Sequence, residues 1–400
     1  MTAQLSPNRI GLWLREHWKL TIFVILIALF PFFDTFLQES SDYVLGGYTG
    51  TLVTVLMYAM LALGLNIVVG YAGLLDLGYA AFFAIGAYAM TLISTPHPPW
   101  GIPVPFPFNY FWIALFLSAL IAMVSGVILG APTIPLRGDY LAIVTLGFGE
   151  IVPVLFRNLT CITIPFLNIE CLDLTAGERG VSLVALPGIP GLYTFNKIDL
   201  APWYWLGLLI IAAAIFMNRR LEDSRLGRAW MAMREDEEAA ASMGIDIVRT
   251  KLLAFAMGAT FSGFAGAYFA SYIQAVFPSS FDFTVSVTVL CAVVLGGSGN
   301  PYGALLGGIL VAGIDRIGLN LMTTGAHKLG EIIPFLSGID FQLWRYGLYG
   351  LALVIVMLVR PQGLLPSKTR ARELLEGAEL DIESGMEAAE QEVGRESKAG

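Results

Sequence analysis

The 400 residues are 56% apolar and only 14% charged, with a mean hydropathy of +0.71. Soluble domains carry about 25% charged residues, so the composition excludes a soluble globule and indicates an all-α, polytopic helical membrane protein. The net charge of −8 names no partner, and no nucleic acid is expected, because nine acids against five bases crowd into residues 367–400.

Arg9, Arg15 and Lys19 precede an apolar run, as in a signal peptide. No small-residue cleavage site follows Phe33, so a retained first helix is expected. A helix needs about 20 apolar residues to cross about 30 Å of hydrocarbon. Ten windows approach that length: 20–37, 51–69, 74–94, 110–131, 140–156, 203–218, 251–275, 282–297, 302–322 and 343–360. The fifth, sixth and eighth are short, which predicts tilted, re-entrant or broken segments covered by protein or by a water-filled cavity. With the amino terminus inside, 17 of the 23 Lys and Arg residues fall on one side. The positive-inside rule then predicts both termini in the cytoplasm and the bilayer as the surrounding medium.

The segment Gly64–Tyr88 is dense in glycine and holds two polar residues, Asn66 and Asp76. Each suits either a translocation pathway or a structural role, an inter-helix hydrogen bond for Asn66 and an interfacial cap for Asp76. Residues 95–109 are proline-dense and cannot be helical. In Arg137–Pro153, Glu150 follows Tyr140 by ten residues and so lies about 15 Å deep at ~1.5 Å per residue. A carboxyl there must be paired or face a cavity, and Gly147 and Gly149 beside it leave room for a ligand or a neighbouring helix. The external loop 157–202 holds Cys161 and Cys171, which in an oxidising compartment can pair or can be two small loop residues. Cys291, inside a span, reads as packing.

Residues 219–251 are the polar exception, with 14 of 33 charged. Gly227–Ala241 holds helix formers and no proline, so one amphipathic helix is expected, stopped by Gly244. The acidic run Glu235, Asp236, Glu237 and Glu238 disfavours contact with anionic lipid. Docking to a protein is the better reading, with Trp230 and Met233 as apolar anchors. Farther on, Gly296, Gly297 and Gly299 form a G-G-x-G turn without the Lys-Ser/Thr of a nucleotide loop, so a tight hairpin is expected. Asp315 and Arg316 lie deep in the ninth window, where pairing with each other or with Glu150 is the plain reading. Residues 367–400 read as a charged, solvated tail.

Four blocks between residues 55 and 366 resemble the inner-membrane permease subunits of branched-chain amino-acid ABC importers: GLNIVVGYAGLLDLGYAAFFAIGAY, RGDYLAIVTLGFGEIVP, GRAWMAMREDEEAAASMGI and VVLGGSGNPYGALLGG. The resemblance implies a transmembrane permease domain over 1–366, with a coupling loop at 219–250. Its E-A-A-x-x-x-G core, including Glu238, Ala239, Ala240 and Gly244, resembles the helix that receives the ATPase stroke. It further implies two ATP-binding subunits, a second homologous permease and a periplasmic substrate-binding protein, with ATP bound by the partners and no cofactor in this chain. At 175–181 the chain reads TAGERGV where relatives carry a T-G-G-P-N-G-I type sequence, which leaves the substrate open. A urea or short-amide permease of the same family, or an ion-coupled secondary transporter using Glu150 and Asp315–Arg316, are the alternatives. The chain has no Walker A, H-E-x-x-H or nucleophile-elbow motif, so no catalytic centre is expected.

Overall fold

The computed structural model describes residues 29–34, 48–95, 111–136, 138–160, 162–164, 169–182, 184, 186–189, 193–196, 199–330, 343–360 and 362–366. Most of the first expected span, Cys161 of the candidate cysteine pair and the 367–400 tail lie outside them. The helices are α1 Tyr48–Leu65, prolonged by a π-helical stretch Asn66–Tyr71, α2 Tyr79–Ser94, α3 Phe111–Gly130 and α4 Asp139–Asn158. Then come α5 Leu200–Glu222, α6 Arg225–Glu235, α7 Glu237–Ser242 and α8 Ile247–Ile273. The last group is α9 Phe283–Gly296, α10 Pro301–Gly313, a π turn Ile314–Gly318, α11 Leu319–Gly330 and α12 Arg345–Val359. Seven helical stretches among the described residues are long and apolar enough to cross a membrane, and two shorter apolar helices accompany them.

The 27-residue α8 is the axis, packed chiefly against α3, α2 and α1. Asp246 caps it, its carboxylate accepting from Arg249 N at 3.1 Å. Lipid tails are as apolar as leucine, so hydrophobicity does not drive helix pairing in a membrane, and small residues that admit close packing do. A Cβ on Gly86 of α2 would lie 2.5 Å from Gly263 Cα of α8, and one on Gly266 would lie 2.4 Å from the Phe83 carbonyl. Around this contact Phe83, Phe269 and Phe281 pack in tilted and edge-on pairs with centroids 5.0 to 5.9 Å apart. Helix α1 is apolar all round and buried, with Val53, Leu61 and Leu63 fully covered.

Helices α9 and α10 form the expected tight hairpin. Gly297 and Gly299 take positive φ at its turn, and the backbone amides of Leu364 and Leu365 donate to Leu295 and Gly296 at 2.9 Å. The bundle therefore has a charged end, carrying α6, α7 and residues 362–366, and a far end. At the far end, short antiparallel pairs join Val181–Ser182 to Ala275–Val276 and Gly188–Ile189 to Tyr193–Thr194. Ile162–Ile164 pairs with Ile169–Leu172 in the same loop region.

Three expectations require correction. The third window is not one helix: residues 72–78 are irregular and non-helical, and only Tyr79–Ser94 is helical. The fifth and sixth windows are full helices of 20 and 23 residues, whereas the eighth is short at 14. The single helix expected over 227–241 is two helices. Asp236 has extended backbone at φ −155° and caps the second, accepting from Glu238 N and Ala239 N at 2.8 and 3.0 Å. Asp at this position competes for its own downstream amides, which ends α6 and starts α7.

Candidate functional site

The break after α1 is the centre of the candidate site. The π-helical stretch widens the turn, and the chain leaves it with Ala72 N donating to Ile67 O and Leu74 N to Val68 O. Gly73, at φ +69°, makes the turn back into the bundle; a Cβ there would meet Arg234 Cγ at 2.6 Å. Residues 72–78 then run as irregular backbone against α4. Leu77 N donates to Thr145 Oγ1 at 3.0 Å, and a Cβ on Gly78 would collide with the Thr145 carbonyl at 2.0 Å. Tyr79 begins α2 with its hydroxyl on the Gly258 carbonyl at 3.0 Å, halfway along α8. An irregular backbone inside the bundle needs such partners for its amides.

Asp76 lies within this irregular stretch, 1% exposed. Its Oδ1 accepts from Gly78 N at 2.9 Å, and its Oδ2 has no protein hydrogen-bond partner. It is thus a buried group inside the bundle and not the interfacial cap, one of the two readings open for it from the sequence. Asn66 is fully buried, and its Oδ1 accepts from Gly299 N at 2.8 Å, tying the π stretch to the α9–α10 turn. Gly149 touches Gly78 across the contact, where a Cβ would stand 3.0 Å from Gly78 Cα. One residue on, Glu150 points away from this contact and is exposed. It shares a helical face with Ile143, Gly147 and Val154, where nothing lies within 4 Å of a Cβ placed on Gly147. Asp76 and Glu150 therefore flank the same Gly78–Gly149 contact from opposite sides. Asp315 pairs with Arg316 at 3.4 Å and Arg345 at 3.9 Å, not with Glu150.

The charged end supplies the second half of the site. Ser224 caps α6, accepting from Gly227 N at 3.1 Å. Trp230 and Met233, expected as anchors for a partner, are 0% and 2% exposed, and the Trp230 indole N–H donates to Thr250 O at 2.9 Å. They pin α6 to the root of α8, so their assignment to a partner groove is corrected: the apolar face of an amphipathic helix is covered by its own bundle first. Glu237 pairs with Lys251 at 2.7 Å, with Lys251 only 3% exposed. Ala240 is buried, while Glu235, Asp236, Glu238 and Ala239 face outward. Gly244 closes α7 at φ +86°, with Ile245 N on Ala240 O and Gly244 N on Ala241 O, the left-handed stop expected of it. Beside it Met243 is 84% exposed, an uncovered apolar tip that helix periodicity did not single out.

Arg234 joins the two halves. It ends α6, and its Nη1 donates to the Gly70 carbonyl at 2.7 Å, at the exit of the π stretch. The sequence marks Arg234 only as one more base in a charged run; its contact spans 164 positions.

Residues 47–357 match the family model described as branched-chain amino acid transport system / permease component. The chain is 36% identical to the high-affinity branched-chain amino acid transport system permease protein LivM of Salmonella typhimurium, over 84% of this chain and 72% of the relative. It is 37% identical to LivM of Escherichia coli, over 81% and 71%. The LivH permease protein of Salmonella typhimurium is 23% identical over 77% of this chain and 91% of the relative. No solved structure matches the chain. A multi-pass helical bundle, a broken span flanked by two carboxylates and this similarity over most of the length agree, and the chain belongs to the family of branched-chain amino acid transport permeases.

Proposed function

We propose that the chain is the permease subunit of an ATP-driven importer of branched-chain or related amino acids in a bacterial inner membrane, with both termini cytoplasmic. Two separate ATP-binding subunits dock at the charged end, a second homologous permease completes the pathway, and a periplasmic binding protein delivers substrate at the far end. The observation that carries this reading is the Arg234–Gly70 hydrogen bond, because it connects the outward-facing α6–α7 surface to the broken span. A displacement of α6 is passed through Arg234 to Gly70 and Gly73, then along residues 72–78 to Thr145 and α4. The uncovered Ile143–Gly147–Glu150 face of α4 is where pathway or second permease would lie. On the ATPase side the contact falls to Met243, Glu235, Glu238 and Ala239, since Trp230 and Met233 are spent within the chain.

The test is amino-acid uptake into vesicles holding the assembled importer, with and without ATP. Uptake that requires ATP and the ATP-binding subunits is the expected result. Uptake of equal rate by this chain alone, driven by an ion gradient, would overturn it in favour of a secondary transporter.

A further inference from the structure

Asp76 takes no part in the path from Arg234 through Gly70 to Thr145, although it stands inside the bundle at 1% exposure. Its Oδ1 accepts from Gly78 N, and its Oδ2 has no partner in the protein. It enters none of the ion pairs among the described residues. The neighbouring amides are committed elsewhere. Leu77 N donates to Thr145 Oγ1, Ala80 N to Ser286 Oγ at 2.9 Å and Ala81 N to Gly78 O at 2.9 Å. The start of α2 therefore gives this carboxyl a single donor.

Asp76 lines a cavity of about 10 Å³, room for one water-sized occupant at most. Phe82 of α2, Leu129 of α3, Thr145 and Phe148 of α4 and Phe255 of α8 wall it. No countercharge reaches it from the surrounding elements. Helices α2, α3 and α9 carry no charged residue. On α4, Asp139 and Arg157 stand near the two ends, and Glu150 is turned to the opposite side of the Gly78–Gly149 contact. At the root of α8, Arg249 pairs with Asp246 and Lys251 with Glu237. Arg234, packed on Gly73, gives its Nη1 to Gly70 O. Tyr79, three residues on, donates its hydroxyl to Gly258 O.

We propose that Asp76 and this cavity form a binding site for one small monovalent cation, a proton or a sodium ion. A bare carboxylate in such surroundings is costly, and buried charges are neutralised or paired. A cation at Oδ2 removes that cost and fits a space that admits nothing larger than a water. Interrupted transmembrane helices favour such sites, because unwound backbone turns oxygens toward a cavity. A proton needs Oδ2 alone. Sodium needs further oxygens, and Thr145 Oγ1 retains a lone pair after accepting from Leu77 N and donating to Ala142 O. The site does not rest on the importer reading, and its occupant is read without transport.

The full-length protein in nanodiscs is melted in sodium chloride and in choline chloride of equal ionic strength, each in mildly acid and mildly alkaline buffer. Asp76→Asn, neutral and of the same shape, is melted beside it, so the difference between the two isolates this carboxyl from every other titrating group. Asp76→Ala takes its place should Asp76→Asn fail to fold. A carboxyl that keeps its proton in the fold and gives it up in the unfolded chain loses stability as the buffer turns alkaline. The wild type is therefore expected to fall by a few degrees against the variant between acid and alkaline choline chloride. If sodium chloride restores that loss in alkaline buffer, the occupant there is sodium. If the loss is the same in both salts, it is a proton. A wild type that tracks the variant throughout, or gains on it as the buffer turns alkaline, overturns the site. None of these outcomes bears on whether uptake requires ATP.

Discussion

At the scale of single residues, burial separates groups that hold the bundle from groups that are free to meet something else. Trp230 is fully enclosed and its indole N–H is bonded to Thr250 O. Truncating a buried aromatic costs about 3–5 kcal/mol, so Trp230→Ala should lower the melting temperature of the purified permease before any partner is involved. Met243 touches little of its own chain, and Met243→Glu should leave melting unchanged while cutting co-purification of the ATP-binding subunits severalfold. Thermal melts beside pull-downs separate the two, and a stable Trp230→Ala protein that alone loses the partner would reverse these assignments. Glu150 differs from both, being an exposed carboxylate on a lipid-length helix with no partner among the described ion pairs. Glu150→Gln should reduce uptake at least tenfold with no loss of assembly or melting temperature. A variant that fails to assemble would mark Glu150 as structural.

Elements acquire their roles here through how they end. Asp236 divides the charged segment because its carboxylate takes the first amides of α7, and Gly244 stops α7 because only a glycine adopts φ +86° without strain. A non-glycine residue in the left-handed region costs roughly 1–2 kcal/mol. The Cβ position at Gly244 is open, so backbone strain, and not bulk, sets the effect of replacement. The broken span is held in the same manner, by partners for its irregular backbone: Arg234 on Gly70, Thr145 on Leu77 and Ser286 on Ala80. Arg234→Gln shortens the reach to the Gly70 carbonyl. ATP hydrolysis by the assembled complex should continue while uptake per ATP falls severalfold, measured on the same vesicles. A proportional fall in both would show that Arg234 supports assembly and not transmission.

Over the whole molecule, the two charged clusters lie at opposite ends of the bundle. Arg234, Glu237 and Lys251 gather at one end, and Arg345, Asp315 and Asp282 at the other. The broken span and α4 meet between them at the Gly78–Thr145–Gly149 contact. The predicted orientation is directly measurable. A cysteine placed at Asn196 should be labelled by an impermeant reagent in intact cells, and one at Ser224 should be labelled only after lysis. The opposite pattern would invert the assignment of both ends.

The polytopic all-helical class, the hairpin at Gly296–Gly299 and the stop at Gly244 were readable along the chain, because each is a local matter of apolar length or of backbone geometry at one glycine. The polar segment 219–251 announced itself for the same reason, as charge that hydrocarbon does not admit. What neighbours decide was not readable. Whether Gly73 to Gly78 continue as helix depends on the Thr145 and Arg234 groups that accept and cover that backbone, 68 or more positions away. Whether Trp230 faces a partner or its own bundle depends on the root of α8 passing beneath it, and periodicity reports only that one face is apolar. Asp315, Arg316 and Arg345 likewise form a cluster only because the π turn and the start of α12 meet in space. Local propensity writes the elements, and long-range packing assigns their faces.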